Sequence, residues 1–213
     1  MRLVCVSDTH NQHAALDVPE GDALLFAGDM CGHGDMHEVK RFCRWLRDLP
    51  HEHKVVVAGN HDWPFDPSRA DLENEHARRY VEWAGAHYLQ DATAEVAGLT
   101  VYGSPWQPWF YDWAFNLPRD GDEIRERWAA IPDDTDVLVT HGPPLGYGDE
   151  VERGRVGCAL LAERIKEVRP LLHVSGHIHE GYGVRSDGHT RYVNASVLDR
   201  WYRQVNAPVV IDL

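Results

Sequence analysis

Five short stretches of this sequence carry side chains able to grip a cation at closely repeated spacing. They are Ser7-Asp8-Thr9-His10, Gly28-Asp29-Met30, Gly59-Asn60-His61-Asp62, His141-Gly142-Pro143-Pro144 and Gly176-His177-Ile178-His179. Carboxylate, amide and imidazole are hard-to-borderline donors for divalent metals. In Asp8-x-His10 the two side chains leave an extended segment on one face, so both can reach one ion. His177-x-His179 can do the same or divide between two ions. Asp29 carries two oxygens and can bridge, Asn60 offers a neutral carbonyl oxygen, and His141 adds a nitrogen. Asp8, His10, Asp29, Asn60, His141, His177 and His179 are more ligands than the three or four of a single zinc site. They suit two cations about 3.5–4 Å apart, an arrangement that activates water and neutralises oxyanions. The competing reading is that Asp and Asn here only make turns; five such coincidences argue against it.

The elements that must position these residues are readable too. Short apolar, β-branched runs at 3–6, 23–27, 54–58, 136–140 and 171–175 immediately precede the five stretches. They lack polar alternation, as strands buried on both faces do. Helical spacing lies between them. Asp35 and Glu38 form a capping-box pattern ahead of Met36, Val39, Phe42, Cys43 and Leu46, up to Pro50. A second helix is expected from Ser68, with Leu72, His76, Tyr80 and Trp83 on one face and Gly85 as its stop; a third covers 121–130 and a fourth 157–168. Such alternation predicts an α/β fold of βαβ units, in which ligands gather beyond the carboxyl ends of the strands. Residues 92–103 and 181–212 read as further short strands, which makes the sheets mixed. With no repeat or linker-like tract, residues 1–213 read as a single domain.

Composition narrows the function. The 213 residues carry 34 acids against 21 bases, a formal net charge of −13. That balance argues against nucleic acid as a partner, because a broad footprint needs a basic face; a local patch of Arg191, Arg200 and Arg203 is the exception to watch. No run of about 18 apolar residues suggests a membrane partner, and the opening residues lack a signal-peptide pattern, so a cytoplasmic address is the expectation. Cys5, Cys31, Cys43 and Cys158 have no paired spacing and read as buried free thiols. His51-Glu52-His53 reads as a solvated loop, and His33 as a neighbour of the ligand set. The aromatic run 104–116 reads as a satellite core, the alternative being that Trp106, Trp109 or Phe110 lines the cleft.

In order, the motifs D-x-H, G-D, G-N-H-D, an isolated His and G-H-x-H resemble those of the calcineurin-like metallophosphoesterases across residues 8–179. The stretches WLRDLPHEHKVVVAGNHD, GSPWQPWF with WAFN, and HEGYG resemble the metallophosphoesterase-domain-containing branch. The resemblance implies a four-layer αββα sandwich of two mixed sheets flanked by helices. It implies one metal on Asp8, His10, Asp29 and His179, and a second on Asp29, Asn60, His141 and His177, each Mn, Fe or Zn. The expected activity is dinuclear metal-dependent hydrolysis of a small phosphoester, with phosphodiesters, nucleotide-like or aryl, favoured over monoesters. His61 is the candidate for stabilising the transition state or protonating the leaving oxygen, and Asp62 for orienting that imidazole. Gly32-His33-Gly34 stands where protein phosphatases of the superfamily carry an Asp-Arg pair, which argues against a protein substrate. The alternative is a nucleotide-binding or scaffold protein with weak turnover; the presence of both His177 and His179 argues for the enzyme.

Overall fold

The computed structural model describes residues 1–69 and 71–213, with Asp71 and Leu72 described by their backbone. Two sheets account for the long-range order. The first runs, in spatial order, Val209–Asp212, Arg2–Val6, Ala23–Ala27, His53–Val57 and His87–Tyr88. Its pairings are parallel except at Val209–Asp212, which runs antiparallel to Arg2–Val6. The second runs Gly183–Ser186, Arg191–Asn194, Leu172–Ser175, Val137–Thr140, Leu99–Ser104 and Ala92–Val96. Its three central pairings are parallel and its two edges antiparallel. Both sheets are mixed, and the five apolar runs are the strands that feed the motif stretches.

Strand alternation explains how the layers stack. In the first strand Leu3 and Cys5 face one way, into an apolar layer with Val55, Val57, Val137, Val139, Leu172 and Val174. That layer lies between the two sheets. Val4 and Val6 face the other way, toward the helices, with Phe26, Phe42 and Leu46. Each such side chain, fully buried, contributes about 1.5–3 kcal/mol relative to exposure.

Four helices cover the outer faces: α1 (Met36–Asp48), α2 (Asp71–Trp83), α3 (Asp122–Ala129) and α4 (Ala159–Val168). The capping box of α1 forms as expected: Asp35 accepts from His37 and Glu38 N–H, and Glu38 reaches back to Asp35 N–H. Its buried face is Val39, Phe42, Cys43 and Leu46, as the spacing predicts. In α3 Ile124 and Trp128 are buried, and in α4 Leu161, Ile165 and Val168.

Three sequence expectations are corrected. The buried stripe of α2 is Ala77 and Val81, continued by Ala84, while His76 is exposed and Trp83 lies under the Arg47 guanidinium at 4.4 Å. Small residues let this helix approach its neighbours closely, and the large aromatics are left at its margin. Ala70, near the expected start at Ser68, and the Leu72 side chain lie outside the described residues. His51 is buried rather than solvated, its Nε2 3.0 Å from Pro19 O, and His53 opens a strand. The aromatic run divides: Trp106 and Phe115 are buried with centroids 5.5 Å apart, whereas Trp109, Phe110 and Tyr111 are exposed. All four cysteines are free and buried. Among the described residues, no helix is long and apolar enough to cross a membrane.

Candidate metal centre

Each motif stretch leaves the carboxyl end of a parallel strand and turns at once. Those turns use left-handed backbone: φ is +55° at Asp8, +36° at His10, +59° at Asp29 and +63° at His177. A non-glycine residue held there costs on the order of 1 kcal/mol or more, and persists only where its surroundings hold it. Two glycines are required by close approach instead. A Cβ on Gly59 would run into Asp29 Oδ1, and one on Gly176 into the Ser7 hydroxyl and Asp8 Oδ2.

The convergence brings the candidate ligands together in two halves. In one, His179 Nε2 lies 3.3 Å and His10 Nε2 4.0 Å from Asp8 Oδ1. In the other, His141 Nε2 lies 2.9 Å from Asn60 Oδ1. A single oxygen joins them: Asp29 Oδ2 is 3.5 Å from His10 Nε2 and 3.4 Å from His141 Nε2. His177 stands beside His141, ring centroids 5.0 Å apart. Asp8, Asp29, Asn60 and His141 are at most 2% exposed.

Four rings are fixed in the same sense. His10 Nδ1 meets Cys31 O at 3.0 Å, His61 Nδ1 meets Gly32 O at 2.8 Å, His141 Nδ1 meets Ala27 O at 2.8 Å, and His179 Nδ1 meets Asp199 O at 2.9 Å. A carbonyl can only accept, so Nδ1 carries a proton and Nε2 is the nitrogen each ring turns toward the site. The Nε2 atoms of His10, His141 and His179 lie within 4.0 Å of carboxylate or amide oxygens, and His10 Nε2 is buried without a hydrogen-bond partner. Acceptors converging on one point are what a cation stabilises. The donor set, two buried carboxylates, an amide oxygen and imidazoles, therefore fits divalent metals. Groups of donors within ligand reach of each other are Asp8 with His10 and His179, Asp8 with Asp29 and His141, and His10 with Asp29 and His61.

The electrostatics agree. Burial opposes charge on Asp8, but the His179 ring holds its carboxyl well below the usual range. Burial likewise opposes charge on Asp29, and His141 and His10 outweigh it. Burial pushes His10 down to about 4, leaving a neutral ring. For His141 and His179 burial acts downward too, yet the carboxylates of Asp29 and Asp8 raise both to about 9. The carboxylates thus attract positive charge strongly enough to draw protons onto their neighbours.

Asp62 does different work from that expected. Its oxygens accept from the backbone N–H of Asp29 (2.9 Å), Met30 (3.4 Å), Cys31 (2.9 Å) and Gly59 (2.7 Å). It ties two ligand turns together, while the His61 ring is oriented by Gly32 O. Trp113 stacks on that ring, centroids 4.0 Å apart. Ser196 donates to Asp8 Oδ2 at 2.7 Å, and Tyr202 sits edge-on to His10 at 4.9 Å. Nothing in the spacing of residues 113, 196 and 202 marks them, since each comes in from a loop remote in sequence. His33 is exposed, its backbone N–H held by Glu38. The basic patch is neutralised piecemeal: Arg203 pairs with Asp199 at 2.6 Å, Arg200 with Glu152 at 3.4 Å, and Arg191 donates to Asp212 O.

The candidate ligands His10, Asp29, Asn60, His177 and His179 line a cleft of about 420 Å³, with His61, Phe110 and Tyr202 also on its walls. Comparison with known proteins gives the same picture. The family described as calcineurin-like phosphoesterase matches residues 1–181. The human metallophosphoesterase domain-containing protein 1 is 48% identical over 231 residues, covering 100% of this chain and 71% of its own length. UPF0046 protein T07D4.2 of Caenorhabditis elegans is 38% identical over 238 residues, covering 100% of this chain and 60% of its own. The solved phosphopantetheinyl hydrolase of Mycobacterium tuberculosis superposes with a TM-score of 0.64 at 15% identity, over 97% of this chain and 95% of that one, which shows a shared fold. With the motif order carried on strand ends and the match spanning most of its length, the chain belongs to the calcineurin-like phosphoesterase family.

Proposed function

We propose that the protein is a dinuclear metal-dependent phosphoesterase acting on small phosphodiesters. The observation that carries this reading is Asp29 Oδ2, within 3.5 Å of a ring nitrogen from each half of the ligand set. One cation would be held by Asp8, His10, Asp29 and His179, the other by Asp29, Asn60, His141 and His177. Divalent manganese, iron or zinc suits these donors, and a pair of such ions supplies water of lowered pKa and positive charge for phosphoryl oxygens.

The remaining chemistry belongs to the chain. His61, with Nδ1–H committed to Gly32 O, lies on the cleft wall, and in its imidazolium form Nε2 would donate to a phosphoryl oxygen or protonate the leaving oxygen. Trp113 holds the plane of that ring, and Asp62 holds the turns on either side of it. Asp8 is oriented by the Ser196 hydroxyl and by the His177 N–H.

Charge supports a diester over a monoester. The two arginines on the cleft wall are already engaged: Arg119 donates to the carbonyls of Val156 and Gly157, and Arg200 lies between Glu152 and Glu180. Arg200 is thus offset by carboxylates, Arg119 has both terminal nitrogens committed to carbonyls, and Glu180 adds negative charge to the wall.

The test is to strip the protein, reload it with manganese, iron or zinc, count bound metal, and assay aryl phosphodiesters and monoesters. Two metals per chain and faster diester turnover are expected. His177→Ala should lose that turnover, and His61→Ala should keep both metals while slowing turnover by about 10²-fold or more. A fully loaded protein that hydrolyses neither ester class would overturn the reading.

A further inference from the structure

Two exposed aromatic rings stand against different halves of the ligand set. Phe110, 44% exposed, lies edge-on to His177 with centroids 5.0 Å apart. Tyr202, 49% exposed, lies edge-on to His10 at 4.9 Å and to His179 at 5.3 Å. Both line the same cleft.

Each ring is held by its backbone although its side chain is half in solvent. The Asn116 side chain closes on Phe110 from both sides: Oδ1 accepts from Phe110 N–H at 3.1 Å, and Nδ2 donates to Phe110 O at 3.3 Å and Tyr111 O at 3.0 Å. Tyr202 sits at φ +59°, a left-handed conformation that a bulky residue adopts only under constraint. Its N–H donates to Asp199 O at 2.8 Å, the carbonyl that also receives His179 Nδ1, and its own carbonyl receives Gln12 Nε2 at 3.0 Å. The segment that presents the ring is thus wired to a candidate ligand. Strain retained beside a site, spent on exposing an aromatic face, points to that face being used.

A phosphodiester carries two substituents on one phosphorus. A phosphoryl group seated over both halves of the ligand set brings one substituent to each ring. We propose that Phe110 and Tyr202 are the specificity-determining residues of the cleft, each seating one flat apolar substituent of a phosphodiester. This rests on the dinuclear reading above and deepens it: the substrate is a diester with two planar groups, such as aryl or nucleobase-bearing ones, and each ring supplies a stacking or edge contact.

The test measures binding to the metal-loaded protein, separately from turnover. Diphenylphosphinate, methyl(phenyl)phosphinate and dimethylphosphinate carry the same single charge, resist hydrolysis, and offer two, one and no flat groups. Phe110→Ala and Tyr202→Ala should each weaken diphenylphosphinate relative to dimethylphosphinate by about tenfold, and the pair together by about a hundredfold. The one-ring ligand can turn toward whichever aromatic remains. It should therefore change by less than about twofold in either single variant and fall about tenfold only in the double variant. Phe110→Tyr and Tyr202→Phe should restore the wild-type ratios. Ratios for diphenylphosphinate that stay within twofold in the single variants, or equal losses for one-ring and two-ring ligands, would overturn the proposal. Absent ester turnover with these ratios intact would remove the hydrolase and leave the two-ring site standing.

Discussion

The floor and the rim of the cleft are built on opposite principles. On the floor, Asp8, Asp29, Asn60 and His141 are at most 2% exposed, each one to three residues beyond a buried strand and tied by backbone hydrogen bonds. At the rim, Trp109, Phe110, Tyr111 and Tyr202 are 44–74% exposed and project from loops. The floor must hold like charges and converging lone pairs in register, which only a rigid scaffold does at a buried site. The rim has to meet a ligand from solvent, and its side chains can change without disturbing the strands beneath. On the proposed function, chemistry is fixed below and choice of substrate is set above.

That contrast can be broken at its strongest point first. Asp29→Ala removes the oxygen shared by both halves and the acceptor for His61 N–H, 2.8 Å away. Hydrolysis should fall on the order of 10³-fold and bound metal should drop below two per chain; retention of both metals would show that the halves are independent. Next comes Asp62→Ala, which strips acceptors from buried N–H groups in two ligand turns. It should cost about 3 kcal/mol of stability, read as a fall of roughly 10 °C in the melting temperature. A variant with wild-type melting and merely slower turnover would return Asp62 to the part of an imidazole-orienting residue. The smallest effect belongs to the rim: Trp109→Ser should change stability by less than about 0.5 kcal/mol. A larger loss would mean that the rim supports the floor after all.

How legible each part was follows from the same division. Floor residues announce themselves because a strand buried on both faces writes a continuous apolar run, and a ligand turn ends it with an abrupt Asp-x-His or Gly-Asn-His-Asp. Helix α1 was equally open, its capping box and 3–4 spacing both being local facts. The buried side of α2 was not, since Ala77 and Val81 carry too little hydrophobic signal to compete with Tyr80 and Trp83. His51 looked like part of a polar loop because only the fold brings Pro19 O to its ring. Asp62 sits beside His61 in sequence, yet its carboxylate turns toward the N–H groups of residues 29 to 31, a choice that adjacency cannot show. Ser196, Trp113 and Tyr202 reach the site from far along the chain, so no window of residues contains both them and the ligands they touch.

The hydrogen bond from Ser196 to Asp8 spans 188 positions, and it has a consequence for the order of events during synthesis. Asp8 is made before the other candidate ligands, but the hydroxyl that orients it, and the carbonyl of Ala195 that holds Ser7 N–H, appear only after nearly all the other donors. At about 5–20 residues per second, roughly 10–40 s separate the two on a ribosome. During that interval a growing chain carries carboxylates and imidazoles without the geometry to hold metal tightly. On the dinuclear reading, loading with metal is therefore expected to be a late event, and a nascent chain stalled before residue 196 should bind it weakly.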